Sequence, residues 1–230
     1  MRSLGVVALL VAAACSAPPV GPAPLPVVPP PTPVPSAAAA GPQAEFATWA
    51  AEVASRTDVP ARALQSYAVA ESRLASLAPS CDLTWVTLAG IGAVETDHGR
   101  HGSRTLLADG RPSQPIVGPR LDGSRFESVR DTDAGEFDGD ATWDRAVGPL
   151  QFIPSSWADW ATDGDDDGRA DPQDLDDAAV SAGRYLCAEG GDLDTDVGWS
   201  RAVLSYNDTE NYLRSVQAQA AAYAEATADL

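Results

Sequence analysis

The chain has 230 residues, 44% of them hydrophobic, and carries 33 acidic against 15 basic residues for a formal net charge of −18; every basic residue is an arginine. That balance excludes nucleic acid as a partner, because neutralising phosphates takes a basic face, and it excludes electrostatic docking on anionic lipid. No apolar run reaches the roughly 18 to 20 residues of a membrane-spanning helix, and the length suits one medium domain or a small domain with tails.

Met1-Arg2-Ser3 and the apolar stretch Leu4–Ala14 together read as an export signal. The stretch ends Val11-Ala12-Ala13-Ala14-Cys15, which resembles a bacterial lipobox, where the cysteine is lipidated and becomes the first mature residue. Position −3 is Ala12, where Leu or Val is usual. The alternative is cleavage after Ala17, which would place Pro18 directly after the cut. Residues 16–42 are proline and alanine with small apolar residues, an extended polyproline II spacer without a core. The expected organisation is a signal with its lipobox over 1–15, a linker over 16–42 and one folded domain over 43–230. The expected location is the cell envelope, with Cys15 anchoring a monomer to the outer face of the membrane, or secretion otherwise.

The folded part reads as mostly helical. Phe46, Trp49, Ala50 and Val53 fall on one face of a first helix. Asp58 and Pro60 predict the cap and the first residue of a second, with Leu64, Tyr67, Ala68, Glu71 and Leu74 sharing a face and Pro79 stopping it. A third starts near Asp82 or Thr84 and runs to His98, where Gly99 and Gly102 end it. Residues 103–142 are rich in Gly, Pro and Asp and show no helical period; so long an irregular segment usually carries function. A short helix follows Ser155-Ser156 and holds Trp157 and Trp160. Further helices are expected over Asp174–Ala188, Trp199–Tyr206 and Thr209–Ala226, the last with Tyr212, Val216 and Tyr223 facing inward. With Cys15 in the signal, Cys81 and Cys187 remain. In an oxidising compartment they are most simply paired; the alternative is two buried free thiols.

Three constellations carry chemistry. The third helix reads Leu88-Ala-Gly-Ile-Gly-Ala-Val-Glu-Thr-Asp-His-Gly99, so Glu95 falls on the face of Leu88 and Ile91, while Gly90 and Gly92 allow another element to approach closely. A carboxylate on a buried face is costly, and desolvation raises its pKa, which suits a general acid; an arginine-paired structural glutamate is the alternative. Next, Gly148-Pro-Leu-Gln-Phe-Ile-Pro-Ser-Ser-Trp157 forces a turn and offers the Gln151 amide for an amide or hydroxyl, with Phe152 able to line a sugar or acyl pocket. Last, Tyr206-Asn207 ends a helix and supplies a phenol and an amide.

In this order the three motifs resemble the lytic transglycosylases of bacterial peptidoglycan, in particular the membrane-bound lytic transglycosylase B type in its actinobacterial form. The stretch from Asp122 through Asp131, Asp133, Asp138 and Asp140 to Asp144-Arg-Ala-Val-Gly-Pro also looks like that form, and the resemblance covers about residues 58–225. It implies a lysozyme-like, mostly α fold of the SLT transglycosylase type, with a long irregular loop insertion and an EF-hand-like loop. It implies Glu95 as the single catalytic acid, Gln151 and Phe152 holding the N-acetyl sugar, Tyr206 and Asn207 near the carboxylate, and Thr142 as a cleft hydroxyl. The placement of Cys81 and Cys187 also resembles that form. The implied substrate is the peptidoglycan glycan strand. Cleavage then yields 1,6-anhydro-muramic ends, Glu95 acting first as acid and then as base for the C6 hydroxyl, with no captured water. A second carboxylate such as Asp133, Asp140 or Asp144 would instead give hydrolysis, and a non-catalytic binding lipoprotein is a third reading.

Asp163-Gly-Asp-Asp-Asp-Gly168-Arg-Ala-Asp-Pro-Gln-Asp174 fits the calcium loop of an EF-hand. Positions 1, 3, 5, 9 and 12 are Asp163, Asp165, Asp167, Asp171 and Asp174, and position 7 uses the Arg169 carbonyl. Position 12 is Asp where a bidentate Glu is usual. The expected cofactor is a structural Ca²⁺, since carboxylates this close repel without a cation; the alternative is a solvated acidic loop.

Overall fold

The computed structural model describes residues 42–230. The export signal, Cys15 and the linker before Pro42 lie outside the described residues. The chain runs α1 (Pro42–Glu45), α2 (Ala47–Ala54), α3 (Ala61–Leu77), α4 (Trp85–Thr96), β1 (Val117–Arg120), β2 (Arg145–Val147), α5 (Pro154–Trp160), α6 (Leu175–Gly190), α7 (Asp196–Tyr206) and α8 (Glu210–Ala226). α1 begins at Pro42, one residue inside the stretch read as linker.

α4 is the centre. Every residue from Trp85 to Gly92 is buried, and a helix apolar on all sides belongs in a core. α8 lies along it and α3 flanks it, while α3 also packs on α6 and α6 on α7. The expected inward stripes are where packing puts them: Trp49, Ala50 and Val53 of α2, Leu64, Tyr67, Ala68 and Leu74 of α3, and Tyr212, Val216 and Tyr223 of α8 are all buried. Glu71, expected on the same face of α3, accepts a hydrogen bond from the Trp85 N–H at 2.5 Å, so it serves the start of α4. Close approach is bought by glycine. A Cβ on Gly90 would stand 2.8 Å from the Val216 carbonyl oxygen of α8, and one on Gly92 2.1 Å from the Tyr67 hydroxyl of α3.

Several boundaries differ from the sequence expectation. Pro60 is the N-cap of α3, with no side-chain cap hydrogen bond; Asp58 instead hydrogen-bonds the Tyr223 hydroxyl. α4 ends at Thr96, before the glycines, because Asp97 (φ 52°) and His98 (φ 56°) already turn left-handed. The His98 N–H then bonds the Gly92 carbonyl at 2.8 Å, the closure of a Schellman-type end. α7 starts three residues earlier than expected, at Asp196, where Thr195 accepts a cap bond from the Gly198 N–H. Thr209 caps α8 in the same way, through the Tyr212 N–H.

The segment 103–142 is not wholly irregular. β1 pairs antiparallel with β2, and bridges Asp122–Ser128 and Arg130–Trp143 extend it into a hairpin-like excursion. The stretch has no helical period, because strands and turns built on Asp and Gly hold it. Cys81 and Cys187 form a disulfide with Cα atoms 5.3 Å apart across 106 residues. Of the two readings the bridge is the one present, and it ties the approach to α4 to the last turn of α6.

Candidate active site

Glu95 stands in the last turn of α4, half-buried, one and two turns beyond the fully buried Ile91 and Leu88. The Tyr212 hydroxyl donates to its Oε1 at 2.6 Å. Tyr212 sits in the first turn of α8, so the packing of α8 on α4 delivers this bond. Burial pushes the Glu95 carboxyl up to about 7, against the Tyr212 bond, which favours the ionised form. A carboxyl poised there can give up a proton at neutral pH and take one back. Tyr206 and Tyr212 are both pushed well above the usual phenol range, by burial first and by the Glu95 charge second. Both stay neutral hydroxyls, Tyr212 on the Glu95 carboxylate and Tyr206 on the Leu150 carbonyl.

The turn 148–152 is held from both sides. The Thr96 hydroxyl, next to Glu95, donates to the Pro149 carbonyl at 2.6 Å and accepts from the Gly99 N–H at 2.9 Å. The Tyr206 hydroxyl donates to the Leu150 carbonyl at 2.7 Å. Gly148 has φ 79°, and a Cβ there would stand 1.7 Å from the Pro172 carbonyl oxygen, so no other residue fits this turn. Gln151 follows with φ 52°; its Nε2 donates to the Gly148 carbonyl at 2.9 Å. Phe152 pairs with Val147 through two backbone bonds and meets Trp157 and Tyr206 edge-to-face at ring distances of 5.2 and 6.0 Å.

Gln151, Phe152 and Tyr206 therefore line one pocket of about 110 Å³, together with Ile153, Ser156, Tyr185 and Ser205. Aromatic rings and hydroxyls around so small a space suit a pyranose substituent or an acetamido group. Glu95 is not among the lining residues. Asn207 and Thr142 are not either. Asn207 is exposed at the end of α7, its Oδ1 accepting from the Thr209 hydroxyl at 3.0 Å. Thr142 is exposed on the excursion, where its N–H donates to Asp140 and its carbonyl accepts from Asp131. Tyr212 and Tyr185 are the functional candidates that sequence reasoning left out. Tyr212 carried a signal, an inward tyrosine three residues after a Thr cap, but no local feature points it at Glu95.

The aspartates of 163–174 are brought together only in part. Asp163 and Asp165 converge with Asp177, and Asp165 converges with Asp174 and Asp176, each set with ligand oxygens within 4.8 Å of one another. Asp167 is exposed and its Oδ1 accepts from the Arg169 N–H, while Arg169 is itself exposed. Asp171 is salt-bridged to Arg111 at 2.7 Å. Arginines share part of the charge: Arg111 also reaches Asp174 at 3.4 Å, and outside the five expected ligands Arg73 reaches Asp166 at 2.6 Å and Arg62 pairs with Asp176. Burial still pushes Asp174 up to about 6 and Asp177 up to about 7, with nearby carboxylates adding to it. Hard oxygen donors in this grouping fit a divalent cation such as Ca²⁺. Asp131, Asp133 and Asp144 form a further group on the excursion.

Residues 125–227 match the family described as Transglycosylase SLT domain. That is an enzyme domain, and the architecture around the matched span is mostly helical. The matched span contains Gln151, Phe152, Tyr206 and Tyr212 but not Glu95. Among curated proteins, none matches in sequence. Among solved structures, the chain is similar to the Escherichia coli lytic transglycosylase SLT35 in complex with bulgecin A (15% identity, 79% of each chain covered, TM-score 0.47). It is similar to the same enzyme in complex with calcium (17% identity, 79% of this chain and 80% of that one, TM-score 0.47). It is also similar to SltB3 from Pseudomonas aeruginosa in complex with NAG-anhNAM-pentapeptide (17% identity, 74% of this chain and 65% of that one, TM-score 0.40).

Proposed function

We propose that the protein is a peptidoglycan lytic transglycosylase of the membrane-bound lytic transglycosylase B type, in its actinobacterial form. It cleaves the β-1,4 bond between N-acetylmuramic acid and N-acetylglucosamine. The observation that carries the reading is Glu95: a half-buried carboxyl raised to about 7 and held by a tyrosine hydroxyl at 2.6 Å. Glu95 protonates the glycosidic oxygen as the C1–O bond breaks. Its carboxylate then takes the proton of the C6 hydroxyl as that oxygen closes on C1. The proton count balances and no water is consumed; holding nucleophile and electrophile in one sugar supplies the effective concentration. Gln151, Phe152 and Tyr206 seat the N-acetyl sugar; Asn207 and Thr142, proposed with them, do not line that pocket.

The hydrolytic alternative needs a second carboxylate to direct water. The three aspartates considered for it are each committed elsewhere. Asp133 accepts from the Gly135 and Phe137 N–H groups, Asp140 pairs with Arg120, and Asp144 accepts from the N–H and hydroxyl of Thr132. This favours the single-carboxylate mechanism over a muramidase.

In this reading Asp163, Asp165 and Asp174 hold a structural Ca²⁺, with Asp176 and Asp177 closing the group, and Asp167, Asp171 and the Arg169 carbonyl at its edge. The ion would brace the loop between α5 and α6, and no chemical step uses it. The domain spans 43–230, exported and carried by a linker from a lipid anchor at Cys15. No described helix is long and apolar enough to cross a membrane. Digesting purified peptidoglycan and weighing the products tests the function. Fragments one water lighter than muramidase products are expected; full-mass reducing ends would replace the transglycosylase reading with the muramidase, and no products with the binding protein.

A further inference from the structure

His98 is fully buried, three residues beyond Glu95 and just past the end of α4. Its Nδ1 lies 3.1 Å from the Tyr67 hydroxyl of α3, and its Nε2 lies 3.2 Å from the Tyr223 hydroxyl of α8. Tyr223 gives its hydroxyl proton to the Asp58 carboxylate, so its oxygen accepts from Nε2–H. Nδ1 is then the bare nitrogen, and Tyr67 donates to it. Every proton has one place, and the ring is neutral. The Tyr67 hydroxyl occupies the space a Cβ of residue 92 would take, 2.1 Å from that position, so only glycine leaves room for it. His98 therefore pins the end of the Glu95 helix to α3 on one side and to α8 on the other. α8 is also the helix whose first turn carries Tyr212 onto Glu95.

We infer that His98 is an acid-sensitive latch beneath the Glu95 helix: protonation of Nδ1 breaks the Tyr67 bond, which ties the end of α4 to α3, and puts a charge in the core. The groups facing the ring are Tyr67 from α3, Tyr223 from α8, Asp58 from the turn before α3, and Asp97 and Arg100 from the end of its own element. The two carboxylates favour the cation and Arg100 opposes it, but burial outweighs them and holds the imidazole down to about 4. The sign follows. The unfolded chain binds this proton near the ordinary histidine value of about 6.5 and the folded chain only near 4, so stability is lost as pH falls through that window.

The test does not depend on the enzymatic reading. The chain has two histidines, so ring ¹⁵N spectra of the labelled protein, with His101→Gln for assignment, follow both. His101 should titrate in the ordinary range while His98 stays the neutral Nε2–H tautomer until the fold is lost. Tyr67→Phe removes the proton that occupies Nδ1 and fills the same space; it should move the acid-unfolding midpoint up by about one pH unit. His98→Gln, which cannot take the charge, should move it down. An Nδ1–H tautomer, titration of His98 in step with His101 while the fold is intact, or the same acid midpoint in Tyr67→Phe and the parent would overturn the latch. Should His98→Gln fail to fold, the tautomer and the Tyr67→Phe midpoint still decide.

Discussion

Glu95→Gln should abolish cleavage and at the same time make the protein more stable, by an amount that depends on pH. Lifting the carboxyl from 4.5 to about 7 means that the fold disfavours its charge by about 3 kcal/mol, a ceiling because the half-buried group keeps some access to water. The folded state binds this proton more tightly than the unfolded one. The cost is therefore absent below pH 4.5, grows as pH rises and is complete above pH 7. Glutamine is neutral throughout, and its Oε1 still accepts from Tyr212. The variant should match the parent near pH 4.5 and exceed it at pH 8 by up to about 3 kcal/mol, equivalent to roughly 6–12 °C in Tm for a domain of this size. The His98 linkage runs in the opposite direction but is common to both proteins and cancels in the difference. Urea unfolding of both at the two pH values, with digestion of peptidoglycan in parallel, measures it. A stability difference that does not change with pH, or a variant weaker than the parent at pH 8, would refute the buried-carboxyl argument. Undiminished cleavage would refute the catalytic one.

Tyr212→Phe removes the bond that favours ionised Glu95, so the basic limb of the kcat/KM profile against pH should move upward as the rate falls; an unmoved limb would separate Tyr212 from the acid. Ca²⁺ at a hundredfold excess over its Kd should add about 2.7 kcal/mol, read as a higher Tm with calcium than with chelator, and Asp163→Asn with Asp165→Asn should erase the difference. Replacing Cys81 and Cys187 by Ser opens a loop of 106 residues and should cost about 4–5 kcal/mol in urea unfolding. Gly92→Ala drives a methyl into the Tyr67 hydroxyl and should cost about 1–3 kcal/mol by overpacking, read as a lower urea midpoint.

The elements were largely legible because their causes are local. The inward faces of α2, α3 and α8 follow from a period of 3.6, and the Thr209 cap and the Gly148-Pro149 turn from conformations that few residues adopt. The same locality put Glu95 on the apolar side of α4. Even the misplaced end of α4 was a local matter, since Asp97 and His98 tolerated the left-handed turn that glycine was expected to make. The site's chemistry is of another kind. Tyr212 meets Glu95 across 117 residues, Arg111 reaches Asp171 across 60, and Tyr223 meets His98 across 125. No periodicity within a helix encodes such pairs; they exist because α8 packs along α4 and because the 103–142 excursion folds back on the acidic loop. Sequence alone could name a carboxylate on a buried face and a run of aspartates. Only the tertiary structure decided that the first is held by a tyrosine and the second shared with arginines, because burial and charge pairing belong to the packed chain and not to its segments.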